Sequence, residues 1–105
     1  MLLIREVFHC KPGKVRPMVE KFLAMSKLNE KYGLGKIRIM TDFCGENYWT
    51  IVSEWETSSM KEFEEMMQGQ GPGQNPEAMK EMESIMKDYH DFVDHGRREI
   101  YKIEG

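Results

Sequence analysis

The sequence predicts an α+β chain, with four strands in one antiparallel sheet and two helices laid against a single face of it. Three observations carry that reading. Strand and helix periodicities follow one another in the order βαββαβ within 105 residues. No long linker interrupts them, so residues 1–105 are expected to form one domain. The strands also sort their side chains into one apolar face and one mixed face, which suits helices on the first and a different cover on the second.

Leu2 to Cys10 make the first strand, and Lys11-Pro12-Gly13 turns the chain. From Lys14, the apolar residues Val15, Met18, Val19, Phe22 and Met25 recur at helical spacing. Pro17 falls in the first turn, where its missing N–H costs least. Gly33 fits a left-handed helix stop, with Leu34 placed to fold back on the last turn. Residues 36–44 then alternate, Ile37, Ile39, Thr41 and Phe43 against Arg38, Met40 and Asp42. Gly45-Glu46-Asn47 is a short hairpin connection, and the third strand runs from Tyr48 to Glu56.

Ser59 with Glu62 forms a capping box that opens the second helix. A glycine-rich stretch, residues 68–75, interrupts that helix, and Asn75-Pro76 restarts it with an N-cap followed by proline. Met79, Met82, Ile85, Met86, Tyr89, Phe92 and Val93 continue the apolar stripe. Gly96 ends it, and Arg97 to Ile103 closes the sheet. The glycine-rich stretch is a flexible lid or a plain insertion. Lacking a following Lys-Ser/Thr, it is not a phosphate loop.

The helix-side face of the sheet collects Ile4, Phe8, Cys10, Ile37, Ile39, Phe43, Trp49, Ile51 and Trp55. The other face collects Leu3, Arg5, Val7, His9, Arg38, Met40, Tyr48, Thr50, Val52 and Glu54. That second set is too apolar to stay fully wet and too polar for plain core. It suits a dimer in which two sheets enclose a cavity.

Charge is unevenly spread. Residues 1–53 hold nine Lys/Arg against five Asp/Glu, a balance of +4, whereas residues 54–94 stand at −8. The acidic second helical region repels phosphate backbones, and no basic patch with interleaved aromatics exists, so a nucleic-acid partner is not expected. No apolar run reaches the roughly 20 residues of a membrane helix, so no membrane partner is expected either. The N-terminus lacks a signal-peptide core, and a cytoplasmic location is expected. Cys10 and Cys44 end strands about two strand spacings apart, roughly 10 Å, too far for a disulfide. Both are expected as buried free thiols.

The chain resembles the dimeric α/β-barrel superfamily, in particular antibiotic-biosynthesis-monooxygenase and NIPSNAP-like small proteins. The resemblance rests on Lys-Pro-Gly at 11–13, Gly-Leu-Gly-Lys-Ile-Arg at 33–38, Ser-Glu-Trp-Glu-Thr-Ser at 53–58 and Gly-Arg-Arg-Glu-Ile-Tyr at 96–101. It implies a ferredoxin-like βαββαβ protomer, a homodimer formed through the sheet faces as a dimeric α/β barrel, and a small hydrophobic or aromatic ligand. Some such proteins oxidise polycyclic aromatics without metal or flavin. Others degrade haem through an Asn on the first strand, a Trp and a His on the second helix. Trp55 and either His90 or His95 are present here, but the first strand holds no Asn.

Candidate site residues follow from the mixed face. His9 is a general base or a hydrogen-bonded interface histidine. Arg38, Arg5 and Glu54 steady an anionic oxygen or pair with one another across the sheet. Tyr48, beside Thr50 on the same face, walls an aromatic ligand, while Trp55 shares the parity of Ile51 and packs under the helices. His90 and His95 are five apart, off the spacing of a helical metal pair, and His95 is placed to meet a helix dipole. No metal site and no cofactor are expected. The ten methionines read as core filler with an adaptable surface.

Three functions remain open. One is an enzyme holding an aromatic or quinol-like molecule between sheet and helices, with His9 taking a proton and Arg38 stabilising the anion while oxygen reacts. Another is a non-catalytic binder of a hydrophobic molecule or haem. The last is a structural dimer whose cavity is filled by its own side chains.

Overall fold

A computed structural model describes residues 1–33, 35–45, 48–68 and 76–105. Leu34, the Glu46-Asn47 part of the hairpin connection, the glycine-rich stretch over 69–75 and the Asn75 cap lie outside the described residues. Strand β1 (Leu2–Cys10) leads to helix α1 (Val15–Lys31), then β2 (Arg38–Thr41) and β3 (Thr50–Thr57). Helices α2 (Met60–Met67) and α3 (Pro76–Met86), a 3₁₀ turn (Tyr89–Asp91) and β4 (Val93–Lys102) complete the chain. The sheet order is β2-β3-β1-β4, with every neighbouring pair antiparallel. This is the expected α+β, ferredoxin-like arrangement, with β3 between the parallel pair β1 and β2. Within this chain the sheet is open rather than a closed barrel.

The helix-side core is a cluster of Cys10, Met18, Val19, Phe22 and Ile51, with Phe8, Ile39, Met86 and Phe92 against it. Phe8 and Phe22 meet with ring centroids 5.4 Å apart. Gly33, at φ +69, follows the last turn of α1 and donates its N–H to Glu30 O, the stop its type predicts. Ser59 caps α2 by accepting from Glu62 N–H at 3.2 Å. The return arm of the box reaches one residue further back, where the Glu62 carboxylate accepts from both the N–H and the hydroxyl of Ser58. Lys21 spans to the end of α3, its Nζ donating to Ile85 O at 2.9 Å and Lys87 O at 2.7 Å.

Four expectations about local structure are corrected. First, β2 is shorter than residues 36–44. Asp42 Oδ1 accepts Thr50 N–H at 2.8 Å and ends the ladder, Phe43 stands fully exposed, and Trp49 turns at φ +61. Neither aromatic joins the helix bed. Second, the last helix stops at Met86 rather than at Gly96. Asp88 adopts φ +64, the short 3₁₀ turn follows, and Val93 is already in the sheet. Gly96 therefore sits inside β4, where a Cβ would lie 2.9 Å from Val7 O and 3.1 Å from Phe8 Cδ1. Third, Cys10 is buried as expected, but Cys44, beyond the shortened β2, is exposed; both are free thiols. Fourth, Met79 is exposed and the neighbouring Ala78 takes the buried place on α3; Met18, by contrast, is fully buried.

Candidate functional site

The two faces of the sheet carry two different chemistries. On the face away from the helices, the strand register sets Arg38, Glu54, Arg5 and Glu99 in one row across all four strands. The charges alternate along it. Arg5 Nε lies 2.6 Å from Glu54 Oε2, and Arg5 Nη1 lies 3.5 Å from Glu99 Oε1. Arg38 Nη1 is 4.0 Å from Glu54 Oε1. Arg97 Nε binds Glu99 Oε2 at 2.7 Å, and the Tyr101 hydroxyl donates to Glu99 Oε1 at 2.8 Å. The hydrogen bond to Glu54 raises the Arg5 pKa, and the bonds from Arg97 and Tyr101 hold that of Glu99 low. Cross-strand pairing is thus what Arg5, Arg38 and Glu54 do.

At the end of this face His9 pairs in register with Thr50 on one side and His95 on the other. The two imidazoles stack with centroids 4.5 Å apart. His95 is a strand residue, not a helix-end one, because β4 begins earlier than expected; its Nδ1 is 2.8 Å from Asp94 Oδ2. His90 belongs to the 3₁₀ turn and packs on Tyr89, ring centroids 3.9 Å apart. His9 Nε2 faces Arg97 Nη1 at 3.3 Å, and Nδ1 faces Thr50 Oγ1 at 3.4 Å. A guanidinium can only donate, so Nε2 must accept and the proton sits on Nδ1, directed at the Thr50 oxygen. Burial first, then coulombic contributions from His95 and Arg97, lower the His9 pKa and favour this neutral form. Arg5, His9, Thr50 and Glu54 line one depression of about 400 Å³ together with Arg97 and Glu99. Arg38 stands beside Glu54 at its margin, and the Tyr48 side chain projects into solvent, outside it.

On the helix side lies a second and more apolar pocket of about 490 Å³. Its walls are Phe8, Phe22, Ile37, Trp55 and Tyr89 with five methionines, Met25, Met66, Met67, Met82 and Met86. Glu6, Ser53 and Asn29 are its polar lining. Trp55 packs under the helices, 6.5 Å from Phe63 between centroids, as its parity predicts. Its Nε1 is buried with no hydrogen-bond partner among the described residues.

One functional expectation separates here. A molecule held between sheet and helices lies on the opposite side of the sheet from His9 and Arg38, since odd-numbered β1 residues point one way and even-numbered ones the other. Sequence reasoning missed Glu6, whose signal was a carboxylate at core parity between Ile4 and Phe8. It also missed Arg97 and Glu99, whose strand register depends on where β4 begins. Among the described residues no three His, Cys, Asp or Glu side chains gather as a metal site, and no helix is long and apolar enough to cross a membrane.

Fold and faces together define a small ferredoxin-like α+β protein. No family model matches the chain, and no curated protein matches it in sequence. Solved structures share its fold. A protein from Agrobacterium tumefaciens is similar with a TM-score of 0.74 at 16% identity, over 97% of this chain and 92% of that one. An uncharacterised NIPSNAP-like domain protein from Burkholderia xenovorans gives 0.74 at 13% identity, over 98% and 84%. A dimeric protein of unknown function and ferredoxin-like fold from Bacteroides fragilis gives 0.55 at 15% identity, over 97% and 96%.

Proposed function

We propose that this chain binds a small hydrophobic or aromatic molecule between its sheet and helices, as one protomer of a cytoplasmic homodimer joined through the open sheet faces. The observation that carries the reading is the methionine- and aromatic-lined pocket of about 490 Å³. That volume falls in the range of small-molecule sites, and thioether side chains adapt their shape to an occupant. The dimeric Bacteroides fragilis neighbour supports the assembly. In it, Arg5, Thr50, Glu54 and His9 serve the contact between copies, with Tyr48 and Arg38 at its margin.

A second reading, cofactor-independent monooxygenase-like chemistry, is favoured by the neutral His9 imidazole beside Arg97. There the second copy roofs the open-face depression, His9 Nε2 gives up its bond from Arg97 to take a proton from a hydroxylated aromatic, and Arg97 and Arg38 hold the resulting anion. Native mass spectrometry of the purified protein tests both. A dimer carrying a few hundred daltons, lost in Met82→Trp but kept in His9→Ala, supports the pocket reading. Loss in His9→Ala alone supports the second. A monomer overturns the assembly, and a bare protein that takes up no naphthalene-sized probe overturns the pocket.

A further inference from the structure

A carboxylate is the least expected group beneath two amphipathic helices. Glu6 nevertheless sits at core parity in the central strand, in register with Ser53 on β3 and Arg98 on β4. The three form a polar row across the helix-side face of the sheet, and Glu6 and Ser53 share the pocket's polar lining with Asn29. Arg98 gives Glu6 its charge partner, with Nε at 2.7 Å and Nη2 at 2.6 Å, and both contacts fall on the same oxygen, Oε1. Among the described residues Oε2 carries no hydrogen bond. Ser53 is buried, and among the described residues its hydroxyl makes no side-chain hydrogen bond either. Both residues line the pocket.

An ion pair that engages one carboxylate oxygen leaves the other available, and Glu6 lines the apolar chamber. We propose that Glu6, with Ser53 beside it, is the polar anchor of the pocket, and that the ligand is a ring-sized apolar molecule bearing a hydroxyl group. The hydroxyl donates to Glu6 Oε2 and accepts from the Ser53 hydroxyl. A neutral donor fits better than a cation, because Arg98 already balances the Glu6 charge. The methionines and aromatic rings take the hydrocarbon remainder. This rests on reading the pocket as a ligand site, and the test separates the two claims.

The measurement is isothermal titration of the intact protein with 2-naphthol and with 2-methylnaphthalene, which share a ring system and differ in the donor. The wild type should prefer the naphthol by about ten-fold or more, the worth of one hydrogen bond to a charged group. Ser53→Ala should narrow that preference. The paired change Glu6→Met with Arg98→Met strands no charge and should abolish the preference while the methylnaphthalene still binds. Equal affinity of the wild type for both probes overturns the anchor and leaves the pocket standing. Equal weakening of both probes in the paired variant also overturns it, since that marks a structural role. Failure of both probes to bind the wild type overturns the pocket reading itself.

Discussion

Gly96→Ala is the sharpest probe of how β4 meets the core. An added Cβ would stand 2.9 Å from the Val7 carbonyl oxygen and 3.1 Å from Phe8 Cδ1. The first obstacle is backbone in the central strand and cannot rotate away. The second is a ring already seated on Phe22, so a shift there propagates into the helix-side core. Overpacking of this kind costs about 1–3 kcal/mol. The loss of glycine's unfolded-state freedom returns about 0.4–1 kcal/mol. A net destabilisation of about 1–2 kcal/mol follows, which for a chain of this size lowers Tm by about 4–16 °C. Thermal and urea unfolding followed by circular dichroism read it. Gly105→Ala, which meets nothing within 4 Å, is the matched control and should leave Tm unchanged. Phe8→Leu should cost less in the Gly96→Ala background than alone, because it removes one of the two clashes. An unchanged or raised Tm in Gly96→Ala would refute the close approach of β4 to β1.

Two further outcomes follow from the geometry. The folded His9 pKa lies below its ordinary 6.5, so the unfolded chain binds the proton first. Stability should fall as pH drops through 6.5 toward the folded value, level off below it, and owe nothing to His9 above about pH 7. Urea midpoints between pH 7.5 and 5 should show that fall in the wild type and a shallower one in His9→Asn; parallel curves would exclude His9 as the source. Lys21→Met removes the donor shared by Ile85 O and Lys87 O. It should cost about 1 kcal/mol and speed amide exchange in the last turn of α3, whereas undisturbed exchange there would show that the lysine is not what fastens that end.

Much of this fold is legible in side-chain alternation. Ile4, Phe8, Cys10, Ile51 and Trp55 declare one face of the sheet, and Arg5, Val7, His9, Thr50 and Glu54 the other. Alternation fails where a polar side chain replaces a backbone partner. Asp42 ends β2 in that way, and the left-handed Trp49 then breaks the parity that would have placed it under the helices. Gly96 misleads for a related reason: a glycine demanded by close packing of strands looks, in sequence, like a helix stop. With β4 begun too late, His95 is assigned to a helix and its pairing with His9 goes unseen. The row Arg38–Glu54–Arg5–Glu99 depends on three inter-strand registers, and registers are not written in any one segment. Glu6 was readable from parity alone.

Five of the ten methionines meet around one chamber, and peroxide converts thioethers to sulfoxides without breaking the backbone. A sulfoxide on Met25, Met66, Met67, Met82 or Met86 would put a strong hydrogen-bond acceptor where the wall now offers only soft, polarisable surface. The chamber's apolar character would then depend on the oxidative history of the molecule, and sulfoxide reductases could restore it. The same wall would thereby keep a chemical record of its surroundings.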